Sequence, residues 1–384
     1  MVKFVARRLA VGVVSLLVFS FVMFWLVESL IPGDYFSVFR LGMTAQEVEA
    51  LRQAFGVDLP VPVRWWRWLE SFVSGGLGQS TTGGRVSTTL SGAIAPTVFV
   101  FVTGLTIAYA VGQWLGRATG WRGGLRSDGI TVAGVSLSTL FPPFVGFVVT
   151  AYLAIRLRRW RAQHFETERR QLWFDAPLSE EQFLNRMTLS LVLGMVLAGL
   201  LAAVWWRWRR KRVTPGIQLV VALAVMVGLW SAMGIMPWAV DLAFDAVLPL
   251  IAFVVLGFGE FMLIMQAGVV GQLNEDYVGT ARAKGLRERT IRDRHASKNA
   301  SLALVARLAV SIPYLMTGLV IIERSVSWHG IGTLLFSAIE SQDIPMVISV
   351  LMVIGTITML TRLALEIITY ALDPRIAHPV EVQV

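Results

Sequence analysis

The chain has 384 residues, of which 55% are hydrophobic and 15% are charged, with a mean hydropathy of +0.65. This balance excludes a soluble domain of this length and indicates a polytopic, all-α membrane protein. Because cysteine is absent, disulfides, thiolate nucleophiles and cysteine-ligated metals are excluded. The formal net charge of +9 suits nucleic-acid binding, but in so apolar a chain basic residues more often mark cytoplasmic loops, so we expect no nucleic-acid partner.

Eight apolar stretches are long enough to cross a bilayer, which takes roughly 20 mostly apolar residues. The first follows a basic start, and it is too long for the apolar region of a signal peptide, so we interpret it as a retained helix. The predicted spans are 9–31, 96–115, 130–155, 187–206, 216–236, 243–270, 302–322 and 345–372.

The distribution of lysine and arginine predicts the orientation of these spans. With the N-terminus in the cytoplasm, the cytoplasmic segments carry the larger share of the cations, as the positive-inside rule requires. Eight spans then place the C-terminus in the cytoplasm too. The sequence RLRRWR at 156–161 is the exception, because it falls outside. The polar, mixed-charge stretch that continues to residue 186 lacks periodicity over much of its length, so we expect an insertion exposed to water.

The segment after the first predicted span has structure of its own. MTAQEVEALRQAFGVD predicts a short helix, with Thr44 and Glu47 spaced as a capping box and Gly56 at its end. The stretch that follows carries three tryptophans, Trp65, Trp66 and Trp68. Tryptophan is enriched at membrane surfaces, so we favour a helix lying at the outer interface over a patch that stacks substrate.

The loop at 274–300 carries seven cations and lies between two predicted spans, on the cytoplasmic side. Wound as a helix, it places Tyr277, Ala281 and Lys284 on one side, and Gly285 ends it. A second short helix follows, in which Glu288 lies four residues before Arg292 and partly neutralises it. The pattern predicts either a two-helix plug for a groove in another protein or an ordinary basic loop on anionic membrane lipid.

Catalytic and metal-binding patterns are missing from the sequence. The four histidines lie in four different segments, and no phosphate-binding GxxxxGK[ST] motif occurs. We therefore expect no catalytic residue, no metal site and no cofactor bound by this chain. If ATP drives its activity, another chain must bind the ATP.

An ionisable residue at membrane depth is costly and is therefore a functional candidate. Glu260 is the best case, either lining a translocation path or closing a structural ion pair, with Arg307 and Arg362 as candidate counter-charges. Glu323 and Asp241 lie near predicted helix ends, where we expect them to reach water.

Seven motifs in order resemble one family. YVGTARAKGL at 277–286 looks like the EAA loop of ATP-binding-cassette importer permeases, in the form of the dipeptide, oligopeptide and nickel branch. The other matches cover most of the chain: IPGD, GGLGQS, LSTLFPPFVG, LPL, ERSVSWHGIGTLLFSAIESQDIPMV and YALDPRI. The resemblance implies a peptide-like substrate and a multi-pass protein of the inner, or cytoplasmic, cell membrane with both termini in the cytoplasm.

The resemblance also implies that the loop is a coupling helix docking on a separate ATPase. The implied docking residues are Tyr277, Gly279, Thr280, Ala281, Arg282, Ala283, Lys284, Gly285 and Leu286. Small side chains would allow close approach, and Arg282 and Lys284 would reach carboxylates at the rim of the cleft. The implied partners are two ATPase subunits that bind ATP and magnesium, a second related permease and an extracytoplasmic substrate-binding protein.

The family has a six-helix core, so two of the eight spans are predicted to be inserted. Residues 1–95 then hold the first span and an extracytoplasmic segment, and 96–155 hold the next two spans. Residues 156–242 form the insertion with its polar segment and two extra spans, and 243–384 form the remaining core with the coupling loop.

The sequence departs from the family at a few positions. NASLAL at 299–304 lacks a proline that often opens the following helix, and the preceding helix has Leu263 and Gln266 where arginines are common. We assign Gln266 with Glu260 to the candidate translocation path. The alternative to an importer subunit is a secondary transporter or channel acting alone, which would need coupling or selectivity residues at the midplane and often two related halves. The sequence shows one candidate acid and no internal repeat.

Overall fold

A computed structural model describes residues 2–30, 44, 46–47, 49–50, 53, 59–77, 80, 84–209 and 215–372. Among these described residues every regular element is a helix or a helical turn, and none is a strand, which confirms the all-α class. Several motif positions lie outside the described residues: IPGD at 31–34, Gly56, 78–79 of GGLGQS and 373–376 of YALDPRI.

Fourteen helices are numbered here in chain order. They are α1 Val2–Leu30, α2 Val61–Val73, α3 Val86–Arg122, α4 Leu125–Ser138, α5 Pro142–Val148, α6 Ile155–Phe174, α7 Glu180–Arg209, α8 Pro215–Ala232, α9 Met236–Asp245, α10 Val247–Gln272, α11 Asp276–Ala283, α12 Ser297–Val326, α13 Ile331–Glu340 and α14 Ile344–Leu372. A π-helical turn, Val149–Ala154, joins α5 to α6.

Five helices are long and apolar enough to cross a membrane among the residues described. They are Val5–Val27, Val86–Arg122, Glu180–Ala202, Val247–Gln272 and Ile344–Ile367. Leu125–Ser138 and Pro142–Phe174 meet at a bend of 99° and make a sixth if the pair is one span. The chain is therefore a multi-pass membrane protein, and six of the eight predicted stretches fall on these elements.

The two remaining predicted spans lie on α8 and α12. The side chains of α8 are described from Val220 onward, and the apolar segment among them, Val220–Ala232, is shorter than a full span. In α12, some side chains between residues 302 and 309 lie outside the described part. Membrane crossing by these two helices stays a prediction, as does the four-part division of the chain.

The predicted span at 130–155 is not one straight helix. The chain breaks between α4 and α5, immediately before Pro142 and Pro143. Proline lacks the amide hydrogen needed inside a helix but fits its first turn, so two prolines can start α5 without continuing α4.

The helices form two compact units, of which the first holds Met1–Ser91, Val305–Met316 and Thr333–Val384. In this unit α1 packs against α14 and α2. Trp65 donates from Nε1 to Ser20 Oγ at 3.1 Å, and Trp68 is buried against Phe24 and Met352. Two of the three tryptophans of α2 thus fasten it to neighbouring helices, whereas Trp66 is exposed.

The predicted capping box is present in this same unit. Thr44 donates from its amide and its hydroxyl to Glu47 Oε2, both at 2.8 Å. The Glu47 amide donates back to Thr44 Oγ1 at 3.4 Å. These reciprocal bonds satisfy amides that have no partner inside a helix.

The second unit holds Gly92–Leu304 and Thr317–Gly332. Three glycines one turn apart on α3, Gly112, Gly116 and Gly120, lie directly against the backbone of α10. A Cβ at any of them would overlap α10 atoms, including carbonyl oxygens. This spacing brings helix backbones together as in small-residue membrane packing motifs. In the insertion, α7 and α8 pack along each other, and Trp230 donates from Nε1 to Ser190 Oγ at 2.7 Å.

Candidate functional site

Helix α11 follows α10 after a short turn and ends in a Schellman motif. Gly285 has a φ of +73°, a left-handed conformation that glycine adopts without strain. The Gly285 amide donates to the Arg282 carbonyl at 2.9 Å, and the Leu286 amide donates to the Ala281 carbonyl at 3.2 Å. The predicted end of this helix at Gly285 is therefore confirmed.

One side of α11 is buried within the chain. Val278 and Ala281 are 0% and 6% exposed and pack with Ile291 and Trp121. Tyr277 is half-buried, and its hydroxyl donates to Gln272 Oε1 at 2.6 Å. Tyr277 and Ala281 therefore share a face as expected, but Ile291 and Trp121 cover it, and Lys284 lies apart from it as an exposed residue.

Other residues of α11 and of the turn after it are exposed, and we name this exposed surface the α11 face. It holds seven of the nine residues assigned to docking, Gly279, Thr280, Arg282, Ala283, Lys284, Gly285 and Leu286. Small side chains and cations thus lie together on an accessible surface. Their contact with an ATPase stays a prediction.

The cations of this loop have different partners from those predicted. Arg282 donates from Nε to Glu288 Oε1 at 2.8 Å, and its guanidinium lies 5.8 Å from the Trp121 ring centre. Hydrogen bonding from Arg282 holds the pKa of Glu288 below its usual range. Arg292 instead donates to its neighbour Asp293 at 2.7 Å, which lowers the pKa of that carboxyl. The expected pairing of Glu288 with Arg292 is therefore wrong.

Lys284 is the cation of the α11 face that remains available. It is exposed and forms no ion pair with any residue that the structure describes. A carboxylate on a partner can therefore reach Lys284 without breaking an existing pair. Arg282 would first have to release Glu288.

The second short helix predicted after Gly285 is not a separate element. A turn at Glu288–Thr290 passes into a π-helical turn, Ile291–Ala296, and then directly into α12. No proline or glycine lies between Glu288 and Ser297, so the helix continues into α12. The segment that covers α11 is therefore the first part of a long helix.

The two candidate path residues both lie on α10. Gln266 is half-buried and its Oε1 accepts a hydrogen bond from Thr131 Oγ1 of α4 at 3.1 Å, so it contributes to helix packing. Glu260 is half-buried as well. Arg362, proposed as a counter-charge, pairs with Glu366 at 3.3 Å. A translocation role for Glu260 and Gln266 stays a prediction.

Glu323 was expected to reach water, and the structure buries it completely. Its Oε1 accepts from Thr97 Oγ1 and its Oε2 accepts from the Gly332 amide, both at 2.7 Å. Thr97 Oγ1 in turn accepts from the Ile331 amide at 2.8 Å. The expectation failed because the chain turns back after α12, which brings the first amides of α13 to this carboxyl.

Asp241 was also expected near water, but its side chain is 12% exposed. It belongs to a cluster that we name the Arg–Asp clamp, formed by Arg161 and Arg169 of α6 with Asp241 and Asp245 of α9. Burial alone raises the pKa of Asp241, but hydrogen bonds from Trp173, Arg161 and Arg169 together hold this pKa below its usual range. Most of the polar stretch is thus a helix, α6, and none of the residues of α6 is buried. Its last part begins α7, where Phe183 and Leu184 are buried and Phe183 packs on the rings of Trp173 and Trp238, so the expectation of a water-exposed insertion is wrong there.

Comparison with known proteins places this architecture in context. The family model "Binding-protein-dependent transport system inner membrane component" matches residues 193–378, and the corresponding N-terminal model matches residues 1–88. A putative peptide permease of Brucella ovis is 28% identical, with 98% of this chain and 99% of the relative covered. An oligopeptide transport system permease of Mycobacterium bovis is 25% identical over 98% and 99%. A glutathione transport system permease of Pectobacterium atrosepticum is 24% identical over 98% and 100%.

Proposed function

Since this chain belongs to the family of inner-membrane components of binding-protein-dependent transport systems, the permeases of ATP-binding-cassette importers, we propose that it carries short peptides driven by a separate ATPase. As a permease subunit of this family, the chain is not itself an enzyme. The three relatives named above are described as permeases for peptides, oligopeptides and glutathione, which is itself a short peptide. Their shared description supports peptide cargo.

The α11 face carries the proposal of ATPase coupling. It is an exposed helical surface of small side chains, it ends in an ordered turn at Gly285, and its buried side packs on the segment that becomes α12. A lipid-binding loop needs only charge, whereas this surface has a defined shape. We infer that α11 docks in a groove of the ATPase and that closure of the ATPase dimer moves α12, which alternates access to the pore.

The remaining partners follow from the family. We propose an assembly of this chain with a second related permease, two ATPase subunits that bind ATP and magnesium, and an extracytoplasmic substrate-binding protein.

The geometry supports the predicted topology. Helix α10 has 26 residues and is about 40 Å long, with α11 after one end and α9 before the other. We place the α11 end in the cytoplasm and the membrane as the inner, or cytoplasmic, cell membrane.

Reconstitution tests the proposal. The chain, its companion permease and the ATPases are assembled in liposomes with the binding protein outside, and uptake of radiolabelled trialanine is measured. We expect uptake only with ATP inside and with all subunits present. Because it lacks a phosphate-binding loop, the purified chain alone should neither bind nor hydrolyse ATP. Uptake by the chain alone, without ATPase, would contradict the proposal and favour a secondary transporter or channel.

A further inference from the structure

A cleft of about 720 Å³ opens where α6, the start of α10 and the turn after α12 meet. Small-molecule sites in proteins are typically about 300–1,000 Å³, so this volume suits a ligand of a few residues. The cleft lies at the Val247 end of α10, whereas the α11 face lies beyond its Gln272 end. The predicted topology therefore places it outside the cell, where cargo arrives.

The Arg–Asp clamp supplies one wall of this cleft. Arg161 and Arg169 both line it, but Asp241 and Asp245 already neutralise them. The Arg161 guanidinium also lies 4.8 Å from the centre of the Phe244 ring, a cation–π distance. These arginines shape the wall and leave little free charge for a ligand.

An apolar surface lies beside this wall. Phe244, Leu248, Pro249 and Trp328 line the cleft, and the last three are largely buried. Such a surface favours the uncharged body of a ligand, with polar groups nearby to fix its orientation.

Two further lining residues carry charges that remain available. Arg158 and Glu180 are exposed, and neither forms an ion pair within the part of the chain that the structure describes. The cleft thus offers one free cation and one free anion. A short peptide with free termini carries an ammonium and a carboxylate at neutral pH, so its charges complement this pair.

We propose that this cleft binds short peptides with free termini. Arg158 pairs with the terminal carboxylate, Glu180 pairs with the terminal ammonium, and the peptide body packs on Phe244 and Trp328. The site rests on the proposed peptide cargo. It gives cargo a holding position on the outer end of the permease after release from the binding protein.

Calorimetry on the full chain in phosphatidylcholine nanodiscs tests this site, with trialanine as the probe. We expect saturable binding that weakens at least about tenfold for C-terminally amidated trialanine and for N-acetylated trialanine, because each lacks one charge-assisted contact.

Variants then assign each terminus to its residue. In Arg158→Gln, amidation of the peptide should no longer matter, whereas acetylation should still weaken binding. In Glu180→Gln the pattern should reverse. Arg159→Gln is the matched control, because Arg159 is exposed on the same helix and does not line the cleft.

Equal binding of free and capped peptides would overturn the site, as would an equal loss in Arg159→Gln. If inorganic phosphate, or phosphatidylglycerol in the nanodisc, competed with the peptide and N-acetylation of the peptide had no effect on binding, the cleft would instead be an anion or lipid site. Uptake by the complete importer separates the two proposals. Trialanine uptake without binding to the isolated chain rejects only the cleft, whereas absence of any peptide uptake rejects the peptide cargo.

Discussion

Arg282 and Glu288 form an ion pair across the turn at Gly285, with 2.8 Å between Nε and Oε1. The pair joins the exposed end of α11 to the segment that continues into α12. It also occupies one of the two cations that the α11 face offers to a partner, which leaves Lys284 as the other.

Glu288→Gln should release Arg282 without unfolding the loop. Both side chains are about half exposed, so thermal stability should stay close to that of the parent. Affinity for the ATPase should rise and become more sensitive to salt, because Arg282 is then free to meet a partner carboxylate. Surface plasmon resonance at two salt concentrations measures this. A lower unfolding temperature with unchanged affinity would show that the pair only holds the loop together.

Gly285→Val should uncouple the ATPase. A left-handed conformation costs a residue with a Cβ roughly 1–2 kcal/mol, and a β-branched side chain makes it worse, so the Schellman turn should shift. ATPase association and peptide uptake should fall at least about tenfold, a shift of about 1.4 kcal/mol, while membrane insertion stays normal.

Arg289→Ala serves as the matched control for this turn, because the Arg289 side chain is 87% exposed. It should transport like the parent. Normal uptake by Gly285→Val, together with loss of uptake after removal of scattered loop cations, would replace the docking surface by a lipid-contact loop.

Asp241→Asn should weaken the Arg–Asp clamp. Hydrogen bonds hold the pKa of Asp241 below the usual value near 3.8, so its stabilisation is present above about pH 4 and is lost as pH falls through the folded pKa. The variant should lose roughly 1–3 kcal/mol at pH 7 and differ less from the parent once the pH is below the folded pKa of Asp241. Thermal unfolding across this pH range measures both. Glu166→Gln, in the exposed pair with Arg170, should cost under about 1 kcal/mol, and an equal loss there would argue against the clamp.

Cysteine labelling tests the topology in a chain that has no native cysteine. Ser179→Cys, before α7, and Met233→Cys, after α8, are exposed and should react with an impermeant maleimide from outside. Lys284→Cys should react only from the cytoplasm. Reaction of the first two only from the cytoplasm would refute this topology. Asp241 is unsuitable as a labelling site because the clamp holds it.

Gly116→Ala should weaken the contact between α3 and α10. Its new methyl group would overlap the Met262 carbonyl, and overpacking of this kind costs about 1–3 kcal/mol. Gly129→Ala on α4 is the matched control, because nothing lies within 4 Å of its added Cβ. Alanine is about 1 kcal/mol better than glycine in a helix, so this control should be neutral or stabilised in a thermal unfolding assay.

Local patterns in the sequence predicted what depends on neighbouring residues. The capping box at Thr44 and the helix end at Gly285 each need only a few consecutive residues, so both were visible in advance. Two other local signals were present and were not used. Pro142 and Pro143 mark the break between α4 and α5, and the four-residue spacing of Gly112, Gly116 and Gly120 marks a close helix contact.

Features that depend on long-range packing could not be predicted. Ala281 is buried because Trp121, far away in sequence, and Ile291 close over it. Asp241 is held by arginines more than seventy residues earlier. In both cases the side chain lies on a helix whose other face is equally compatible with its sequence, so only the packed neighbours decide which face is covered.

Thr97 lies at the centre of a directional series of hydrogen bonds in the second unit. Its hydroxyl oxygen accepts a hydrogen bond from the Ile331 amide, and the same hydroxyl donates a hydrogen bond to Glu323. Three segments, two of them more than two hundred residues from the third, are thus joined by hydrogen bonds that all point in the same direction. Replacing Thr97 by valine would keep the side-chain volume but remove both hydrogen bonds. These contacts of α3 with the end of α12 and the start of α13 would then be lost at once.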